Sequence, residues 1–199
     1  MKKLYYLLIA LMGVCVVACG NDENVEELAV DLGLSVKWAS CNVGANSPEE
    51  YGDYFAWGEI SPKSSYTEDN SLTYDVPMSD ISGNPQYDAA RANWGGGWRM
   101  PTKSEIDELV ENCTWEWTKL NGVNGYKVTG PNGNSIFLPA AGYRYGMSSY
   151  NVGSYGFFWS STPYEDYDYD AYCLSFDSGG HDWGWDYRDH GPSVRPVLE

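Results

Sequence analysis

Basic residues are scarce in this chain of 199: 12 Lys and Arg face 28 Asp and Glu, a formal charge of −16. Such a surface repels phosphate backbones and anionic headgroups, which argues against nucleic acid or a charged membrane face as partner. Histidine is nearly missing, with only His181 and His190 present. No Cys-x-x-Cys or His-x-x-x-His spacing accompanies them, so a zinc centre lacks its ligand pattern. No Gly-x-Ser-x-Gly occurs, and neither histidine is marked as the base of an acyl-transfer triad. The sequence thus implies no cofactor, no metal and no catalytic set. No repeat, linker or charge block divides it, and its length suits one domain with a real core.

The one long apolar run, "LYYLLIALMGVCVVA", follows Lys2 and Lys3 at the start. About 15 apolar residues fall short of the roughly 20 that span a bilayer. Val16-Val17-Ala18-Cys19 has instead the form of a lipobox, in which a small residue before the Cys permits cleavage. Residues 1–18 are expected to be a lipoprotein signal peptide, and Cys19 the lipidated first residue of the mature chain. Taking Lys2 and Lys3 from the 12 basic residues leaves 10 against 28 acids, a charge of about −18. Acyl chains, not a basic face, would then hold the protein at the membrane. Residues 19–30 form an acidic tether, and "GNDENVEEL" within it resembles signals that place lipoproteins on the outer face of the outer membrane.

Beyond the anchor lie Cys41, Cys113 and Cys173. An oxidising compartment permits one disulfide and one free thiol, with Cys41 and Cys113 as the pair; three buried thiols are the equal alternative. "LGLSVKWASCNVG" reads as a strand with Leu34, Val36 and Trp38 alternating. Residues 46–93, rich in Pro, Gly, Ser and Tyr, read as long ordered loops. A helix is predicted after Pro101, where Thr102 and Glu105 form a capping box and Ile106, Leu109, Val110 and Cys113 make one stripe. "CTWEWT", "GYKVT" and "NSIFLPAAG" are strands punctuated by Asn-Gly turns, and "GFFWSS", "AYCLSF" and "SVRPV" are further short strands. The expected class is α+β: twisted antiparallel sheets, one main helix and long ordered loops over residues 31–199.

"GGGWRMPTKSEIDELV" resembles the Gly-Trp-Arg-Leu-Pro-Thr helix signature of the Fibrobacter major-paralogous-domain family. "WASCNVGA", "YGDYFAWGE", "NGYKVTGPNGNSIFLPAAGYR", "FFWSSTP" and "GPSVRPV" follow in that family's order. Met100 stands where Leu is commoner, a swap that conserves volume. The resemblance covers roughly residues 31–199 and implies a C-type-lectin-like fold, related to that of formylglycine-generating enzymes. The end of the chain is also similar to the variable proteins of diversity-generating retroelements, in which adenine-directed errors turn template Asn codons into Tyr, Asp, Ser, Gly, His and others. Between residues 151 and 198 there is no Lys, Gln, Met or Ile, and Glu165 is the single Glu. That likeness implies a diversified ligand-binding set of Tyr155, Phe157, Tyr164, Asp166, Tyr167, Asp168, Tyr172, Cys173, Ser175, Asp177, Gly180, Asp182, Gly184, Asp186, Tyr187, Asp189 and His190. Trp159, Trp183 and Trp185 would be constant frame.

Alternation supports such a surface without the genetics. Tyr172, Leu174 and Phe176 share one strand face, expected to pack inward, and Cys173, Ser175 and Asp177 share the other, expected outward. Tyr offers large contact area at low entropy cost, while Ser and Gly adapt. Arg144 and Tyr145 are placed at the rim. Asp166, Asp168, Asp170 and Asp177 have the oxygen ligands calcium needs, but a solvated acidic strand is the plainer reading, and no Glu-Pro-Asn or Trp-Asn-Asp sugar motif occurs. A formylglycine-generating-type enzyme would need two neighbouring redox cysteines, and Cys173 has no close partner in the late part of the chain. A carboxylate-pair glycosidase finds no identifiable acid and base. The expectation is a non-catalytic, adhesin-like surface lipoprotein that contacts a protein or glycan on another cell, phage or host; a static carbohydrate-binding module is the alternative.

Overall fold

The computed structural model describes residues 28–199. The signal peptide, Cys19 and the tether up to residue 27 lie outside the described residues. Leu28, Ala29 and Val30, assigned above to the tether, already belong to the fold: β1 (Ala29–Val30) pairs antiparallel with β2 (Lys37–Ala39), and Leu28 is buried. The last strand, β11 (Val197–Leu198), pairs with the other edge of β2, so both ends of the domain meet in one small sheet.

Helix α2 (Lys103–Asn112) begins where the capping box predicts. The Glu105 amide donates to the Thr102 hydroxyl at 3.3 Å, and the Thr102 amide donates back to the Glu105 carboxylate at 2.8 Å. Arg99 clamps the same carboxylate through two bonds of 2.8 and 2.6 Å, fixing the chain as it enters the helix. Ile106 and Leu109 are buried, and Val110 and Cys113 pack partly against them.

Two further antiparallel sheets flank this helix. One is β3 (Thr114–Leu120), β4 (Val123–Thr129) and β5 (Ser135–Pro139) in sequence order. The turn between β3 and β4 places Asn121 and Gly122 at positive φ, which Asn and Gly tolerate better than other residues. The other sheet is β8 (Gly156–Pro163), β9 (Asp170–Asp177) and β10 (Gly180–Tyr187), with β9 central. A small hairpin of β6 (Tyr143–Tyr145) and β7 (Ser148–Tyr150) lies between them in sequence. Ile106, Leu109, Tyr126, Val128, Leu138, Phe158, Leu174 and Phe176 form the main core among α2 and these sheets. The class is therefore α+β and sheet-rich, with few helices.

Residues 46–93 are mostly irregular, as composition predicts, apart from a short 3₁₀ turn at Glu68–Asn70 and the α-helix that closes the segment. Helix α1 (Ala89–Trp94) forms on the Asp88 N-cap, whose carboxylate accepts from the Arg91 amide at 2.9 Å. Asp88 also accepts from the Gly83 and Met100 amides, which explains its full burial. This long segment covers the second face of the β8–β9–β10 sheet, where Phe55, Trp57, Ala89 and Ala90 pack against Trp159, Ala171 and Cys173. Burial on both faces overturns the expected outward direction of Cys173, which is 1% exposed. Alternation distinguishes two faces of a strand but not whether a distant loop will cover one of them.

Two buried arginines hold the layers together. Arg195 donates to the carbonyls of Ala39 and Phe137 and to the Asn42 side chain. Arg188 donates to the carbonyls of Asp170, Thr73 and Val76, and its guanidinium lies 4.4 Å from the Trp57 ring centroid. Cys113 and Cys173 carry free thiols, so the proposed Cys41–Cys113 bridge is not formed. The two residues belong to different clusters: Cys41 packs with Leu28, Ala39 and Trp98, and Cys113 packs against the main core. Among the described residues, no helix is long and apolar enough to cross a membrane.

Candidate functional site

Cross-strand register builds the site. Phe157, Ser175 and Asp182 stand side by side on β8, β9 and β10, followed by a row of Trp159, Cys173 and Gly184. The second row runs under the loop cover, where Trp159 and Cys173 are buried. The first row emerges beyond it. There Tyr155, Phe157, Ser175, Asp177, Gly180 and Asp182 line an open cleft of about 300 Å³, with Phe176 and His181 completing its wall. Six of the residues singled out from sequence thus share one cleft.

The opposite face of β10 carries aromatic rings. Trp183, Trp185 and Tyr187 are 43%, 52% and 42% exposed. Trp183 and Trp185 were expected as buried frame, and the structure reverses this. They lie on the face of Leu174 and Phe176, but β10 is an edge strand, and although α2 packs beside it these rings stay exposed. Lys103, the first residue of α2, reaches over the edge instead: its ammonium lies 4.2 Å from the Trp183 ring centroid and 5.3 Å from that of Tyr172. The same ammonium pairs with Asp107 at 2.8 Å.

Ring contacts run on from there. Tyr164 meets Trp185 at 5.9 Å and Tyr167 at 6.3 Å between centroids, and Trp185 meets Tyr187 at 6.4 Å. Tyr187 touches His190 at 5.4 Å, and His190 stacks on Tyr143 at 5.3 Å. Tyr143 in turn meets Tyr150 and Phe157, which leads back to the cleft. Sequence reading missed Tyr143 and Tyr150; the alternating tyrosines of "GYRYG" were the available signal for the first. Tyr145 is exposed beside His190, as a rim residue would be. Arg144 is structural, donating to the Met147 carbonyl at 3.1 Å and lying over the Tyr66 ring.

Three of the 17 residues face inward. Cys173 and Tyr172 are buried, and Tyr172 donates its hydroxyl to Glu165. Asp189, in the turn that follows β10, is 2% exposed. Burial pushes its pKa above the usual carboxylate range. Asp170 is also buried; burial first and the charge of Asp186 second push it up to about 6. His190 experiences the opposite balance. Burial disfavours its cation, but the 2.8 Å bond to Asp186 and the nearby carboxylates outweigh that and raise its pKa. Burial pushes the Cys173 thiol well above its ordinary value, with Asp186 adding to the effect.

Asp166, Asp168 and Asp170 do not share a strand face. Residues 165–169 bend and turn before β9 begins at Asp170, so the run of alternating Asp and Tyr is not a strand. Among the described residues, no group of three or more His, Cys, Asp or Glu is placed to hold a metal ion.

No curated protein and no solved structure matches the chain. A sequence model described as a domain of unknown function (DUF8237) matches residues 101–197. That segment runs from the residue before the α2 cap to β11, and so contains both the cleft and the aromatic face.

Proposed function

We propose that this protein is a non-catalytic binding module, carried on the cell surface by a lipid at Cys19, whose contact surface is the cleft and aromatic face of the β8–β9–β10 sheet. The observation that carries this reading is the space around residues expected to vary. A Cβ added at Gly180 would meet nothing within 4 Å, and one at Gly184 would rest 3.7 Å from the Ser175 hydroxyl. At Gly156 the same atom would fall 2.1 Å from the Phe176 ring, and at Gly191 it would crowd Tyr66. Surface positions have room for new side chains where neighbouring frame positions have none. Exposed Tyr and Trp beside small polar residues supply the chemistry of adaptable recognition surfaces.

A C-type-lectin-like fold accords with the pairing of β2 and β11 and with long loops returning over a sheet. The retroelement reading is tested by sequencing the codons for residues 155–190 in descendants of one cell. Adenine-directed changes at Ser175, Asp177, Gly180, Asp182 and Gly184, with Trp159, Leu174 and Phe176 spared, would support it. Invariant codons and no near-copy in the neighbouring DNA would leave a static binder. Contact through this surface is tested separately with Ser175→Trp, which fills the cleft; attachment of the bacterium to its target unchanged by that substitution would sink the site assignment.

A further inference from the structure

The aromatic face contains an internal example of what it can bind. Lys103 belongs to α2, not to the sheet, yet its ammonium lies over Trp183 and Tyr172 with Asp107 balancing its charge. Two residues along β10, on the same strand face, Trp185 repeats the arrangement. It pairs in register with Tyr172, and its ring meets those of Tyr164 and Tyr187. Acidic groups gather here too: Glu165 accepts from Tyr172, and the pKa of Tyr164 is raised by desolvation first and by the charge of Asp166 second. Among the described residues no Lys or Arg lies over Trp185, which is half exposed.

We infer that the partner is a basic polypeptide, and that Trp185, beside Tyr164 and Tyr187, seats one of its Lys or Arg side chains as Trp183 seats Lys103. This rests on the binding-surface reading above and gives it a ligand chemistry. A ring face attracts a cation through its quadrupole, and nearby carboxylates add to that attraction. The chain's formal charge of −16 steers basic partners toward it and repels acidic ones. A second copy of this chain would bring the same negative charge and is disfavoured on the same ground.

The experiment uses the full chain and three probes: octalysine, an uncharged Ser-Gly octapeptide and chitohexaose, each titrated calorimetrically at low and high ionic strength. Trp185→Leu keeps an apolar side chain but removes the ring without changing net charge. It should weaken octalysine binding roughly 3- to 10-fold while leaving the melting temperature unchanged. Lys103→Ala vacates the Trp183 seat and should strengthen octalysine binding. Octalysine that fails to bind, or binds wild type and Trp185→Leu equally, overturns the inference. Chitohexaose binding that is lost in Trp185→Leu, with octalysine unaffected, also overturns it but leaves the surface as a binding site.

Discussion

The indole N–H of Trp159 donates to the carbonyl oxygen of Phe55 at 2.8 Å, joining residues 104 positions apart. Trp57 returns the contact, donating to the Ser160 carbonyl at 2.9 Å. These bonds fasten the long loop to β8 and make Trp159 part of the frame. Trp159→Ala should therefore cost about 3–5 kcal/mol, from the cavity and the stranded carbonyl together. Tyr187→Ala, on the exposed face, should stay within about 1 kcal/mol of wild type. Thermal melts of the two variants check this, and equal losses would contradict the division between frame and surface.

Glycines offer a second test. Gly156→Ala drives a methyl into the Phe176 ring, and overpacking of this kind costs roughly 1–3 kcal/mol. Gly184→Ser meets only ordinary contact and should fold with unchanged stability. Chemical denaturation midpoints measure both. A Gly184→Ser chain as unstable as Gly156→Ala would show that the exposed rows are less permissive than their geometry implies.

Asp170 should make stability depend on pH. Its pKa rises from 3.8 to about 6 on folding, so the folded chain holds that proton more tightly than the unfolded one. The resulting stabilisation is complete below 3.8 and disappears as pH climbs through about 6. His190, raised above 6.5, acts in the same direction at higher pH. Asp170→Asn, uncharged at every pH, removes the cost of burying the ionised carboxylate and should stabilise the fold by about 2 kcal/mol near neutral pH, with little effect under acid conditions. A gain of equal size at every pH would mean that the benefit comes from packing instead.

Thiol chemistry provides a fourth check. Burial pushes the Cys173 thiol well above its ordinary value and the Cys113 thiol up to about 11. Neither should form appreciable thiolate near neutral pH. Iodoacetamide followed by mass spectrometry should leave Cys173 unmodified until denaturant is added. Rapid native alkylation of Cys173 would revive a catalytic role for it.

The capping box, the helical stripe and the strand punctuation were legible because each is a local pattern whose cause lies within a few residues. Helix α1 was missed because six residues give too little periodicity to register, although Asp88 before Ala89 and Ala90 was an available cap signal. The direction of Trp183, Trp185 and Cys173 was misread for another reason. Alternation along β9 and β10 is real, but which face is covered depends on α2 and on residues 46–93, far away in sequence. Local pattern gives two faces; tertiary packing chooses between them.

The closing contacts of Arg195 have a consequence for synthesis. Its guanidinium reaches residues 39, 42 and 137, and the strand beside it completes the sheet that β2 begins. A ribosome that halts anywhere in the codons for residues 155–190 releases a product without this clasp, leaving three buried carbonyl oxygens unsatisfied. Nonsense errors within the most variable-looking stretch should thus yield chains that proteases clear, not half-formed binders that persist.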